Sequence, residues 1–123
     1  DLENFKKGEK QRIQETSQRT IAVMAKDILP IIDNLERAEA AVKKKDSVSQ
    51  GFIQIGKQLK DFLKDYEIEE IESEGMQFDP NLHEALLEVE VEGVEPGEVV
   101  KVLEKGYMKQ DMLLRPAKVQ IAK

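Results

Sequence analysis

The stretch ILPIIDNLERAEAAV, residues 28–42, decides how this chain is read. Ile28, Ile31, Leu35, Ala38 and Val42 recur at 3-4-3-4 spacing, which lines one face of an α-helix. Upstream the stripe continues more thinly through Leu2, Phe5, Ile13, Thr20 and Met24, and only Gly8 and Pro30 interrupt it between Asp1 and Lys45. A helix of about 42 residues runs roughly 63 Å at 1.5 Å per residue. The rest of the chain is too small to cover such a stripe, so a second copy is the economical cover and a homodimer is expected. Pro30 lacks a backbone donor and disfavours helical geometry at Leu29, which predicts a kink or a restart there. Gly8 costs about 1 kcal/mol against a good helix former. The pattern is already under way at Leu2 with no capping run ahead of it, which predicts a further N-terminal segment.

After KKKDSVSQ (43–50), where Asp46, Ser47 and Ser49 are candidate N-caps, a second helical pattern begins. Phe52, Ile55, Leu59, Phe62 and Tyr66 repeat the 3-4-3-4 spacing. So short a link implies an antiparallel return against the first helix, and two such hairpins from two chains make a four-helix bundle. Its expected core is Ile28, Ile31, Leu35, Val42, Phe52, Ile55, Leu59 and Phe62.

From Glu67 the period changes. Leu87, Val89 and Val91 alternate with Glu88, Glu90 and Glu92, as in a strand with one wet face. Pro96-Gly97 suits the centre of a type II turn, with Val99 to Leu103 as the returning strand. Ala117, Val119 and Ile121 alternate with Lys118 and Gln120 as a last strand. Gly106 within EKGYM predicts a bulge or a close backbone approach. The expected fold is therefore α+β: a helical stalk and dimerisation bundle over 1–66, and a small all-β domain over 67–123 that leans on the helices for stability.

Composition narrows the function. The chain has 123 residues, no cysteine and no tryptophan, and 36% of its residues are charged. Residues 1–66 carry 13 Lys+Arg against 11 Asp+Glu, whereas residues 67–123 carry 6 against 14. The acidic second half argues against nucleic acid as a partner. No apolar run reaches the roughly 18 residues of a membrane span, and no signal-peptide pattern opens the chain. A soluble, cytoplasmic protein is expected. Without cysteine there is neither a disulfide nor a thiolate zinc site.

The only histidine lies in QFDPNLHEALLEV (77–89). His83 beside Glu84 and four residues after Asp79 could serve as a base or a ligand. The H-E-x-x-H spacing is absent, as are a phosphate loop, a Ser or Cys nucleophile with a histidine base, and the glycine of a calcium loop. The structural reading is more specific: Asp79 caps a turn, Pro80 fits a first helical position, and His83 falls in a short helical turn bonded to backbone. Neither catalysis, nor metal, nor cofactor is expected from this stretch, which instead joins bundle to β domain.

The segments ILPIIDNLERA, GMQFDPNLHEAL, PGEVVKVLEKGY and DMLLRPAKV occur in this order and spacing. Together they resemble the GrpE family, nucleotide exchange factors of DnaK-type heat-shock chaperones, from about Leu2 to Ala122. The resemblance implies a homodimer that binds the chaperone's ATPase domain through stalk and β domain, opens its cleft and lets ADP leave, without binding nucleotide itself. It also implies where contact occurs: Met112, Arg115 and Ile121 on the β domain, with Tyr107 supporting them, and Lys6 and Glu15 on the stalk. Met112 stands where the family usually has arginine, Glu15 where a lysine can occur, and Gly8 at a position usually long and basic. Gly51 matches a bundle glycine used in packing or docking. The local readings of the same residues are solvated helix charges for Lys6 and Glu15, sheet core for Ile121 and Tyr107, surface for Met112, and a local ion pair for Arg115. The alternatives in function are a dimeric coiled-coil scaffold whose acidic β heads dock another protein, and an enzyme using His83.

Overall fold

The computed structural model describes residues 1–123 and begins with a helix, α1, running from Leu2 to Ala41. Asp1 caps it, its side chain accepting from the Asn4 N–H at 2.9 Å. The helix passes through Pro30 without a restart, so of the two outcomes expected there the restart does not occur. The magnitudes explain it. A proline inside a helix costs about 3 kcal/mol, whereas each fully buried Leu or Ile side chain contributes about 2 kcal/mol. Leu29 and Ile32 flank Pro30 and are both completely buried, while Pro30 itself lies exposed.

The buried face of α1 is a second stripe beside the expected one. Ala22, Ala25, Leu29 and Ile32 repeat at 3-4-3 spacing and form one core with Leu63, Ile68, Tyr107 and Leu114. Of the expected bundle positions, Ile28, Leu35 and Leu59 are half-buried, and Ile31, Val42, Phe52, Ile55 and Phe62 stay 36–53% exposed in the single chain. The chain thus uses one stripe for itself and leaves the other uncovered.

After Val42 the chain turns into α2, Ser47–Asp65. Of the candidate caps, Asp46 takes the position in a reciprocal capping box: the Ser49 N–H donates to Asp46 Oδ1, and the Asp46 N–H donates to Ser49 Oγ, each at 2.9 Å. α2 returns antiparallel along α1. Lys60 reaches Glu36 at 3.0 Å, and Gly56 lies so near Glu39 that an added Cβ would sit 2.6 Å from its Oε1.

Beyond Glu67, which ends the helix in the left-handed conformation at φ 64°, two three-stranded sheets follow. Strands β1 (Ile68–Glu70), β4 (Tyr107–Lys109) and β5 (Met112–Arg115) form an antiparallel sheet in the order β1-β4-β5, and Ile68, Tyr107 and Leu114 carry it onto the helices. Strands β2 (His83–Val89), β3 (Val99–Glu104) and β6 (Ala117–Ala122) form the other, in the order β2-β6-β3. The fold is α+β, with the β part C-terminal, as the change of period predicts.

Within that sheet the order differs from a simple return. β3 does not pair with β2: β6 lies between them, parallel to β2 and antiparallel to β3. Ala117 and Val119 of β6 are completely buried, and the central position covers them. β2 starts earlier than the Leu87–Val91 alternation suggests and ends before Val91. An irregularity between Ala85 and Leu87 breaks the alternation, leaving Leu87 53% exposed. The turn at Pro96-Gly97 is as expected: Glu98 N–H donates to the Glu95 carbonyl at 3.1 Å and Gly97 has φ 85°. Gly106 is a close approach, since a Cβ there would lie 2.4 Å from the Ala117 nitrogen.

Candidate partner-binding surface

Strand alternation places Met112 and Leu114 on one face of β5. Leu114 is buried against α1 in the shared core, so Met112 reaches the helix further toward its N-terminus. There Met112, 40% exposed, lines an open groove of about 440 Å³ with Gln11, Gln14, Glu15, Gln18 and Arg19. One candidate from the β domain and one from the stalk, Met112 and Glu15, thus share one surface. Gln18 Oε1 is buried beside them and accepts no hydrogen bond from the chain.

The other candidates lie elsewhere. Lys6 is exposed nine residues before Glu15. At 3.6 residues per turn the two point to opposite sides of α1, roughly 180° apart. Ile121 belongs to the second sheet, half-buried against the cluster of Val99, Ala117 and Val119. Gly51 is half-buried on α2, and a Cβ there would meet nothing within 4 Å of its own chain. Tyr107 is 3% exposed and belongs to the core.

Arg115 is engaged inside the chain. Its Nη1 and Nη2 donate to Asp33 Oδ2 and Oδ1, both at 2.7 Å, and its Nε donates to the Lys105 carbonyl at 2.8 Å. The guanidinium lies 5.4 Å from the centre of the Tyr107 ring. The Asp33 hydrogen bonds outweigh burial and raise the proton affinity of Arg115 above its ordinary value. Burial, with Glu36 and Glu70 nearby, pushes the Tyr107 hydroxyl well up, so it stays protonated. Lys105 lies 2.9 Å from Glu36 and 3.7 Å from Glu70. Burial alone would lower its pKa, but the Glu36 carboxylate reverses the sign and raises it. Lys109, 4% exposed, donates to the Tyr66 carbonyl at 2.6 Å and ties the β4–β5 turn to the end of α2.

This charged network was not anticipated residue by residue. A signal did exist: Glu36 continues the buried stripe of Ala22, Ala25, Leu29 and Ile32, and Asp33 lies one turn after Leu29. Acidic residues on an inward stripe need cationic partners from another element.

The turn around His83 is bonded to backbone, as expected, but it is not helical. The Asp79 N–H donates to His83 Nδ1 at 3.0 Å, and Asp79 Oδ1 accepts from the Asn81 N–H at 2.9 Å. The Asp79 carbonyl accepts from Leu82 and His83 at 3.0 and 2.8 Å, with Pro80 exposed at the corner. His83 then opens β2, where β6 captures the chain before another helical turn forms. The turn also lies wholly within the β half. Bundle and β domain are joined instead at Tyr66–Ile68. No group of three or more His, Cys, Asp or Glu is placed to hold a metal ion, and no helix is long and apolar enough to cross a membrane.

A long helical hairpin bearing a small β head, with candidate groups on helix and strand faces, is an architecture of surface presentation. The comparisons agree on its lineage. The family model described as GrpE matches residues 1–123, and the chain belongs to the GrpE family. It is 39% identical over 125 residues to Protein GrpE of Geobacillus kaustophilus (strain HTA426), covering 99% of this chain and 59% of that protein. It is 40% identical over 124 residues to Protein GrpE of Caldanaerobacter subterraneus subsp. tengcongensis, covering 100% and 60%. With Protein GrpE of Latilactobacillus sakei the identity is 43% over 100 residues, covering 80% and 51%. The chain thus spans between half and three-fifths of the length of these relatives.

Proposed function

We propose that this chain is a co-chaperone acting as an adenine-nucleotide exchange factor: as a homodimer it docks on the ATPase domain of a DnaK-type chaperone in the cytoplasm and accelerates ADP release. The observation that carries the reading, beside family membership, is the shared groove of Met112 and Glu15. In this reading residues 1–66 are stalk and dimerisation unit, and residues 67–123 are the docking head. The uncovered stripe supports a dimer. So does an apolar groove of about 170 Å³ lined by Ile21, Met24, Ile28, Phe62, Tyr66 and neighbours, which a second copy would fill. Sedimentation at micromolar concentration should give twice the chain mass, and a monomer would contradict the dimer.

Exchange requires neither a nucleotide site nor a catalytic residue on this chain. A protein that binds the open ATPase domain more tightly than the closed one shifts its population toward open and weakens ADP by the same free energy. Met112 brings an apolar contact and the Gln-rich stalk face brings hydrogen-bonding groups, including the unpaired Gln18 Oε1. The test is release of a fluorescent ADP analogue from a cognate ATPase domain, with the chain at sub-stoichiometric amounts. Faster release is expected, and Met112→Asp should weaken the effect. An unchanged release rate overturns the exchange reading and leaves the scaffold.

A further inference from the structure

Besides the Lys109 bond to the Tyr66 carbonyl at the end of α2, the β1-β4-β5 sheet meets the helices in two ways. One is apolar, through Ile68, Tyr107 and Leu114 against Ala22, Ala25, Leu29, Ile32 and Leu63. Such contact is adhesive but not directional. The other is the fork of Arg115 on Asp33, with side chains only 14% and 18% exposed. A bidentate guanidinium–carboxylate pair holds two parallel bonds in a fixed plane, so it sets an angle as well as a distance. The third donor, Nε, is bonded to the Lys105 carbonyl, and the Tyr107 ring packs near the guanidinium. The arginine is therefore held by the β3–β4 connection and the Tyr107 ring on one side and by α1 on the other. Partly buried pairs of this kind contribute little net stability, because desolvation offsets much of the attraction.

We propose that Arg115 is a positioning residue: through Asp33 it fixes the angle of the β1-β4-β5 sheet on α1 and so holds Met112 beside Glu15. Met112 lies three residues before Arg115 on the same short strand, so a swing of the sheet about its apolar contact moves Met112 along or off the helix. The functional part of this inference rests on the exchange reading above; its structural part does not. A head free to swing presents the joint groove for only a fraction of the time, and apparent affinity falls by that fraction. Once the partner is saturating, it selects the aligned head, and the maximal release rate is unchanged.

The test is Asp33→Asn, which keeps shape and removes the charge, with Arg115→Lys as a second variant that keeps charge and loses the fork. The chain has no cysteine, so Lys26→Cys on α1 and Asp111→Cys in the β4–β5 turn, both exposed positions, can carry spin labels that report the β1-β4-β5 sheet against the helix. Labelled chains are diluted with unlabelled ones to isolate distances within one chain. Positioning predicts a narrow distance distribution for the parent chain, a broad one for Asp33→Asn, and an intermediate one for Arg115→Lys. For Asp33→Asn it also predicts about a tenfold rise in the concentration giving half-maximal ADP release, equivalent to ~1.4 kcal/mol, at an unchanged maximal rate. If Arg115 instead touched the partner directly, Asp33→Asn would release it, leaving the distances narrow and the half-maximal concentration equal or lower. That result overturns the proposal. If the parent chain fails to accelerate release, the exchange reading falls, and the width of the distance distribution decides positioning by itself.

Discussion

A methyl group at position 106 would lie 2.4 Å from the Ala117 nitrogen and 2.9 Å from the Ala117 Cα and Pro116 carbonyl carbon. All three are backbone atoms of the β5–β6 connection, and neither Pro116 nor the buried Ala117 can step aside without moving the central strand of the second sheet. Gly106→Ala is therefore expected to cost ~3 kcal/mol, read as a shifted midpoint in denaturant unfolding followed on the β half. An unchanged midpoint would mean that the backbone there yields easily. This contact was legible from EKGYM as a glycine where a strand should continue. The orientation of His83 was legible only in part: a carboxylate, a proline and an asparagine ahead of it signal a bonded turn, but nothing local says that β6 will take the chain into a strand at once.

At the scale of elements, the start of α2 shows how local chemistry carries into pH. The backbone N–H of Ser49, and then its hydroxyl, hold the Asp46 carboxyl below its ordinary value of 3.8. A lowered folded-state pKa means that the charged cap stabilises the helix above about pH 4, and that this contribution is lost as pH falls through the lower folded value. Asp46→Asn should remove that part of the acid dependence of α2 helicity, measured by circular dichroism between about pH 5 and pH 2, whereas an unaltered profile would show that the cap does not titrate as bonded. Both helices, the period change at Glu67, the turn at Pro96-Gly97 and the last strand were legible because each has a strong local signature. Which stripe of α1 faces the chain's own core was not. Ala22 and Ala25 are too small to stand out beside Ile28 and Ile31, and periodicity does not distinguish two adjacent apolar stripes. β1 and β4 are three residues each, too short to show alternation. The insertion of β6 between β2 and β3 is a property of pairing across the chain rather than of any segment.

For the whole molecule, what matters is what the fold brings together across long separations. Arg115 and Asp33 are 82 residues apart in sequence, and Met112 and Glu15 meet only because the β head sits back along the helix that precedes it. No local pattern encodes either meeting; the family resemblance picks out Arg115, Met112 and Glu15, but not Asp33. In the proposed exchange role this surface distinguishes two states of a partner, and reciprocity offers the most direct measurement. The affinity of the chain for a DnaK-type ATPase domain is measured by calorimetry without nucleotide and at saturating ADP. In an exchange factor ADP is expected to weaken binding of the chain by the same factor by which the chain weakens ADP, on the order of 5–150-fold. Equal affinities with and without ADP would contradict it.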